Sequence, residues 1–261
     1  MNAVRHYIVR RLLGAVPVLL GISLLAFVLA QLSPGDPAEI MLEAAGTGMP
    51  SAEEVAALHS YLGLDQPPYV QYGLWLWRIL HGDGGISYHL GMPVFTVLLA
   101  RLPVTVMLAA ASLCWAAVGG IGLGLLMARM RGTWAAMLLH GVTQVMLATP
   151  SFLTAILLIL IFGVWLHVLP TNGVDAAAGY LLPSFALALV TLAMTAQLLD
   201  AQLREALSSL YAQMARLRGL SVGRVLLTYA LPNALVPVTA MLGNFAAAVL
   251  GGAIIVETVF A

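Results

Sequence analysis

Four stretches of this sequence carry no charged side chain: Arg11 to Asp36, Arg101 to Arg129, Asp175 to Asp200, and Arg224 to Glu257. A helix needs about 20 apolar residues to cross the hydrocarbon core of a bilayer, so each stretch is long enough to span. A fifth interval, Arg131 to Asp175, holds 43 uncharged residues. It reads as one helix of roughly 30 residues, closed by an external turn where Pro170, Asn172 and Gly173 stop it. Spans are expected near 12–32, 103–128, 134–165, 179–199 and 233–256. Backbone groups in lipid must be satisfied within a segment, so the expected fold is an all-α polytopic membrane protein with five transmembrane helices.

Composition excludes the alternatives. Apolar residues make up 61% of the chain and charged ones 8%, against about 45–50% and 25% in soluble domains. The formal net charge is zero, so no global excess of positive charge recruits nucleic acid. All 11 basic residues are Arg, which removes phosphate-loop and Schiff-base lysines from consideration. Cys114 stands alone; it can form neither an intrachain disulfide nor a thiolate cluster, and reads as a small buried hydrophobe. No catalytic, cofactor or metal site is indicated.

The arginines set the orientation. With the N-terminus in the cytoplasm, only Arg78 and Arg101 fall outside, while Arg5, Arg10, Arg11, Arg129, Arg131, Arg204, Arg216, Arg218 and Arg224 fall inside, as the positive-inside rule requires. The first apolar run is longer than a signal-peptide core and lacks a small-residue cleavage site, so an uncleaved first span is expected. The organisation is then 1–32, cytoplasmic N-terminus and first span; 33–100, an external helical segment; and 101–261, a core of four spans with a cytoplasmic loop at 200–232.

In the external segment, Ser51-Ala52-Glu53-Glu54 has the capping-box pattern, Val55, Leu58 and Leu62 follow at helical spacing, and Gly63 is placed to end that helix. Pro67-Pro68 opens a second helix carrying Tyr69, Tyr72, Trp75 and Trp77. Those aromatics suit either the headgroup layer or packing against other spans. His59, His81 and His89 are spaced too irregularly for a preformed metal site.

The loop between the last two spans carries the sharpest pattern. Leu207, Leu210, Tyr211, Met214 and Leu217 mark one face of a helix, with Ser208, Ser209, Gln213, Arg216 and Arg218 on the rest. Gly219 should stop it in a left-handed conformation, Ser221 can cap the next turn, and Leu231-Pro232 leads into the last span. Periodicity allows two readings: a helix lying in the lipid interface, or a helix that docks a cytoplasmic protein.

The spacing of Gly219 from Leu231-Pro232 resembles the loop by which permease subunits of binding-protein-dependent ABC importers engage their ATPases. Gln213-Met214-Ala215 stands where that motif has Glu-Ala-Ala. Ala215-Arg216-Leu217-Arg218-Gly219-Leu220 is similar to the variant of dipeptide, oligopeptide and nickel permeases. Six further segments resemble the same family in order: Pro34-Gly35-Asp36-Pro37-Ala38, Leu62-Gly63-Leu64-Asp65-Gln66-Pro67, Gly84-Gly85-Ile86-Ser87-Tyr88, Arg101-Leu102-Pro103-Val104-Thr105, Pro150-Ser151-Phe152 and Gly251-Gly252-Ala253-Ile254-Ile255-Val256-Glu257. The run Tyr69 to Trp77 looks most like the nickel-type members.

The resemblance implies a type I ABC importer permease fold in the bacterial inner membrane. It also implies a homologous second permease, two cytoplasmic ATPase subunits and an external solute-binding protein as partners, with lipid around the spans. It makes Leu210, Tyr211, Gln213, Met214, Ala215, Arg216, Arg218, Gly219, Leu231 and Pro232 the ATPase-docking residues. Family members continue past Phe260-Ala261 with a Trp-Pro-Gly corner and a sixth span, so this sequence is expected to hold five of six. Nickel, a metal chelate and short peptides are all admissible substrates.

Two other classes fare worse. An intramembrane serine hydrolase would need a nucleophile elbow within a span, and the Gly-x-Ser-x-Gly spacing of Gly219-Leu220-Ser221-Val222-Gly223 falls in the loop at 200–232 instead; His140 has no carboxylate in its own span and reads as a buried histidine bonded to backbone. A secondary transporter would need ionisable residues at mid-membrane, which the spans lack. Their polar residues are neutral: Thr143, Gln144, Ser151, Thr191, Thr195, Gln197, Thr239 and Asn244. Most should hydrogen-bond between helices, while Gln144, Thr191, Thr195, Thr239 and Asn244 are the candidates to line a solute path.

Overall fold

The computed structural model describes residues 2–44, 50–88, 90–170, 177–252 and 259–260. His89, residues 171–176, where most of the expected external turn falls, and residues 253–258 lie outside them. The chain divides into two compact units, Met1–Arg101 and Leu102–Ala261.

In the first unit a long helix α1, Asn2–Gln31, carries Pro17 without breaking. After it, Asp36 accepts a hydrogen bond from the Ala38 amide at 2.9 Å and starts α2, Pro37–Ala44. The capping box forms as expected: Glu54 N–H donates to Ser51 Oγ, Ser51 N–H donates to the Glu54 carboxylate, and α3 runs Ala52–Leu62. Gly63 closes it at φ 73°, a conformation favourable only without a Cβ. Pro68, with no amide hydrogen to leave unpaired, opens α4, Pro68–Leu80.

The aromatics of α4 divide into packed and exposed ones. The Tyr72 ring meets Phe27 edge-on at 5.4 Å and its hydroxyl lies 2.9 Å from Ser23 Oγ, while Gln71 accepts from Gln31 at 2.8 Å. Tyr69 and Trp77 stay exposed.

Helix α5, Val94–Cys114, begins in the last residues of the first unit and in the second passes through a π-helical turn, Trp115–Gly119, into α6, Gly120–Arg129. Helices α7, Trp134–Ala148, and α8, Ser151–Leu158, which continues as a π turn Ile159–Trp165, follow. The single helix expected at 134–165 is corrected here: α7 and α8 meet at 105°. Pro150 is the reason, because its ring pushes the preceding residue out of the α region. Thr149 is extended at φ −91°, ψ 119°.

The long helix α9, Leu181–Ser208, is the axis against which α6, α7, α8 and α12 pack. Beyond it lie α10, Leu210–Leu217, and α11, Val222–Val225. A π turn, Leu226–Ala230, leads into α12, Leu231–Gly252. Pro232 removes the amide that would bond Thr228, which accounts for the wider turn before it. Among the described residues four helices are long and apolar enough to cross a membrane, five if the bent α7–α8 pair is one span.

The α6–α9 contact is the closest. A Cβ on Gly120 would lie 2.5 Å from Thr195 Cβ, and one on Gly124 would lie 2.8 Å from the Ala196 carbonyl. Lipid tails are as apolar as side chains, so helices associate through such close approach rather than through apolarity.

Candidate functional site

The loop after α9 folds as a short helix held on a small base. Ser209 leaves the helical region at ψ 156° and breaks α9 from α10. Gly219 stands at φ 85°, as expected, with its N–H donating to the Arg216 carbonyl at 2.9 Å. Ala212 and Ala215 form the buried face of α10, packed with Val225 and flanked by Leu207 and Leu220.

The single stripe from Leu207 to Leu217 is therefore split. Leu207 belongs to α9 and packs inward, while Leu210, Tyr211, Met214 and Leu217 point away from the protein, Leu217 with 81% exposure. Gln213 reaches back to donate to the Ser208 carbonyl, and Arg216 and Arg218 are exposed. Leu231 is half-buried and Pro232 exposed at the start of α12. Ser221 precedes α11 but makes no side-chain cap. An amphipathic helix with alanines inward and large apolar side chains outward is built to be covered.

Near the lower end of α9 the structure assembles a charged cluster that spacing did not reveal. The Asp200 side chain is 3% exposed and accepts hydrogen bonds from Arg131 Nη2 at 2.8 Å and Arg204 Nη2 at 2.9 Å. Arg131 also reaches the Asp200 main-chain carbonyl at 3.4 Å. His140 Nε2 lies 3.5 Å from Asp200 Oδ2. The expectation of a buried, backbone-bonded His140 is corrected: its ring is 41% exposed, and although its own span has no carboxylate, an acidic neighbour comes from another helix. The only signal in the sequence was a lone acid closing one long uncharged interval and an arginine opening another. These groups border a cavity of about 340 Å³ between the α6–α7 turn and α9.

The path candidates fall into two sets. Thr191 and Thr195 are buried in α9, where Thr195 Oγ1 donates to the Thr191 carbonyl at 2.7 Å. Gln144, Thr239 and Asn244 are exposed. Gln197 ties α9 to α7 by donating to Thr143 Oγ1 at 2.9 Å. Cys114, expected to be buried, is exposed because α5 presents that face outward.

Among the described residues no three His, Cys, Asp or Glu side chains are grouped to hold a metal ion. His59 instead binds Asp36, with Nε2 2.7 Å from Oδ2 and Asp65 3.7 Å away. That hydrogen bond holds the imidazole above its ordinary pKa and the carboxyl below its own.

Residues 120–261 match the family described as the binding-protein-dependent transport system inner membrane component, and residues 4–109 match its N-terminal family. A putative peptide transport system permease protein of Brucella suis biovar 1 (strain 1330) is 36% identical over 97% of this chain and 82% of its own length. The glutathione transport system permease protein GsiC of Escherichia coli (strain K12) is 35% identical over 98% of this chain and 82% of its own length. With both families matched along the chain and relatives this similar, the protein is a multi-pass permease and belongs to the inner membrane components of binding-protein-dependent transport systems.

Proposed function

We propose that this chain forms half of the membrane path for short peptides, driven by ATP hydrolysed on cytoplasmic subunits that grip α10. The observation that carries the docking reading is the outward face of α10, Leu210, Tyr211, Met214 and Leu217, presented from an alanine base between the Ser209 break and a left-handed glycine. Large apolar side chains would supply anchors in a groove of the partner, with Arg216 and Arg218 as rim contacts. A homologous second permease would complete the path, and Gln144, Thr239 and Asn244, being outward, are the residues of the path set free to meet a solute. Thr191 and Thr195 serve helix packing.

The relatives named for peptide and glutathione transport favour a short peptide over the nickel or metal chelate that the α4 aromatics suggest. The N-terminus is assigned to the cytoplasm on the distribution of arginines. The deciding experiment is co-purification of the ATPase subunits with Met214→Asp at matched membrane levels. Loss of the ATPase is expected. Retention at the parental level would mean that α10 lies in lipid.

A further inference from the structure

A push on α10 reaches the membrane helices by two routes, through Val225 and the π turn into α12, and through the C-terminal end of α9, from which α10 hangs at Ser209. What holds that end decides whether the push moves the bundle or merely bends one helix. Three attachments are arranged along α9. Gly120 and Gly124 let α6 lie directly against it. Gln197 bonds Thr143 of α7 at 2.9 Å. Lowest of the three, Asp200 takes Arg131 from the α6–α7 turn, a residue 69 positions earlier in the chain, and lies 3.5 Å from His140 of α7.

We propose that Asp200 is a positioning residue of the transport cycle: its bond to Arg131 locks the base of α9 to the α6–α7 turn, so that α6, α7 and α9 follow α10 as one body. The inference rests on the reading of α10 as the docking helix. Stability alone is a poor reason for a carboxylate here, since desolvating a buried ion pair offsets most of its attraction. What the pair supplies is a defined geometry, because Arg131 holds both the carboxylate and the main-chain carbonyl of the same residue. Between Asp200 and Ser208 the helix continues with Leu203 and Ala206 buried, so the lever below the lock is short and supported.

The test uses the whole transporter, with its second permease and ATPases, in proteoliposomes. Spin labels are placed by Trp134→Cys on α7 and Glu205→Cys on α9 in a Cys114→Ser background, and their separation is read by pulsed electron resonance with and without ATP and vanadate. In the parent a narrow distribution that does not shift with nucleotide is expected. Arg131→Gln should at least double its width while the ATPases still co-purify. Arg204→Gln, which removes a bond made within α9 only, should leave the width unchanged, and Arg131→Lys should restore most of it. Arg131→Gln is preferred to Asp200→Asn because Arg204 remains to pair the buried acid. The lock is overturned if the parental distance shifts with nucleotide, if Arg131→Gln stays as narrow as the parent, or if Arg204→Gln broadens it equally. Failure of the docking reading shows separately, as ATPase retained by Met214→Asp.

Discussion

Helices α1 and α9 differ in a direction that hydrophobicity alone would not predict. Helix α1 is the more apolar of the two, yet none of its most apolar window is buried, whereas 56% of the corresponding window of α9 is buried. In water the greasier helix would go inside; in lipid, apolar surface has no reason to leave its surroundings. Burial follows small residues and polar groups instead. Helix α9 meets glycines on α6 and polar partners on α7 and the α6–α7 turn. Helix α1 touches α4 through Ser23, Phe27 and Gln31.

The strongest way to break this contrast is to change the glycines. Gly124→Leu would drive a side chain into the α9 backbone, and overpacking of this kind costs about 1–3 kcal/mol or more. Gly21→Leu in α1 has nothing within 4 Å to meet. The first should sharply lower the amount and melting temperature of detergent-purified protein and the second should leave both unchanged. Equal tolerance would refute the account of α9.

A smaller effect is expected at Gly219, where φ is 85° and no atom crowds a Cβ, so any penalty is one of backbone alone. Gly219→Val should be strained by about 1–3 kcal/mol and lose the ATPase in co-purification. Gly219→Asn, which tolerates the left-handed region, should keep much of it.

The first unit should respond to pH through His59 and Asp36. The His59 value is raised above 6.5, so its contribution is complete below 6.5 and is lost as pH rises through the raised value. The Asp36 value is lowered below 3.8, so its contribution is complete above 3.8 and is lost as pH falls through the lowered value. Between 3.8 and 6.5 both are in full force. Amide-exchange protection of α2 and α3, corrected for intrinsic rates, should fall on raising the pH from that window into the alkaline range. His59→Gln should flatten the profile; an unchanged profile would remove the pair from the explanation.

The smallest change is expected from Tyr72→Phe, which keeps the ring against Phe27 and removes the hydroxyl 2.9 Å from Ser23. A loss of about 0.5–1.5 kcal/mol is expected, read as a modest drop in the melting temperature of the first unit. A loss as large as that of Gly124→Leu would show that α1 is held far more firmly than its exposure suggests.

Local chemistry explains what the sequence determined by itself. Uncharged length marked the crossings, the Ser51–Glu54 pair marked the start of α3, and Gly63 and Gly219 marked left-handed stops, because each depends on neighbours a few residues away. The loop after α9 was legible to that extent, as an amphipathic helix between two spans. The interval after Arg131 shows the limit even of local reading: continuous apolarity suggested one crossing, and Pro150 turned the chain by 105°. Tertiary structure alone decided which face of α10 is held, which threonines are buried, and that Asp200 meets Arg131 across 69 residues. In lipid an apolar pattern does not say which face turns inward, and partners distant in the chain are chosen by close approach, which only the packed fold supplies.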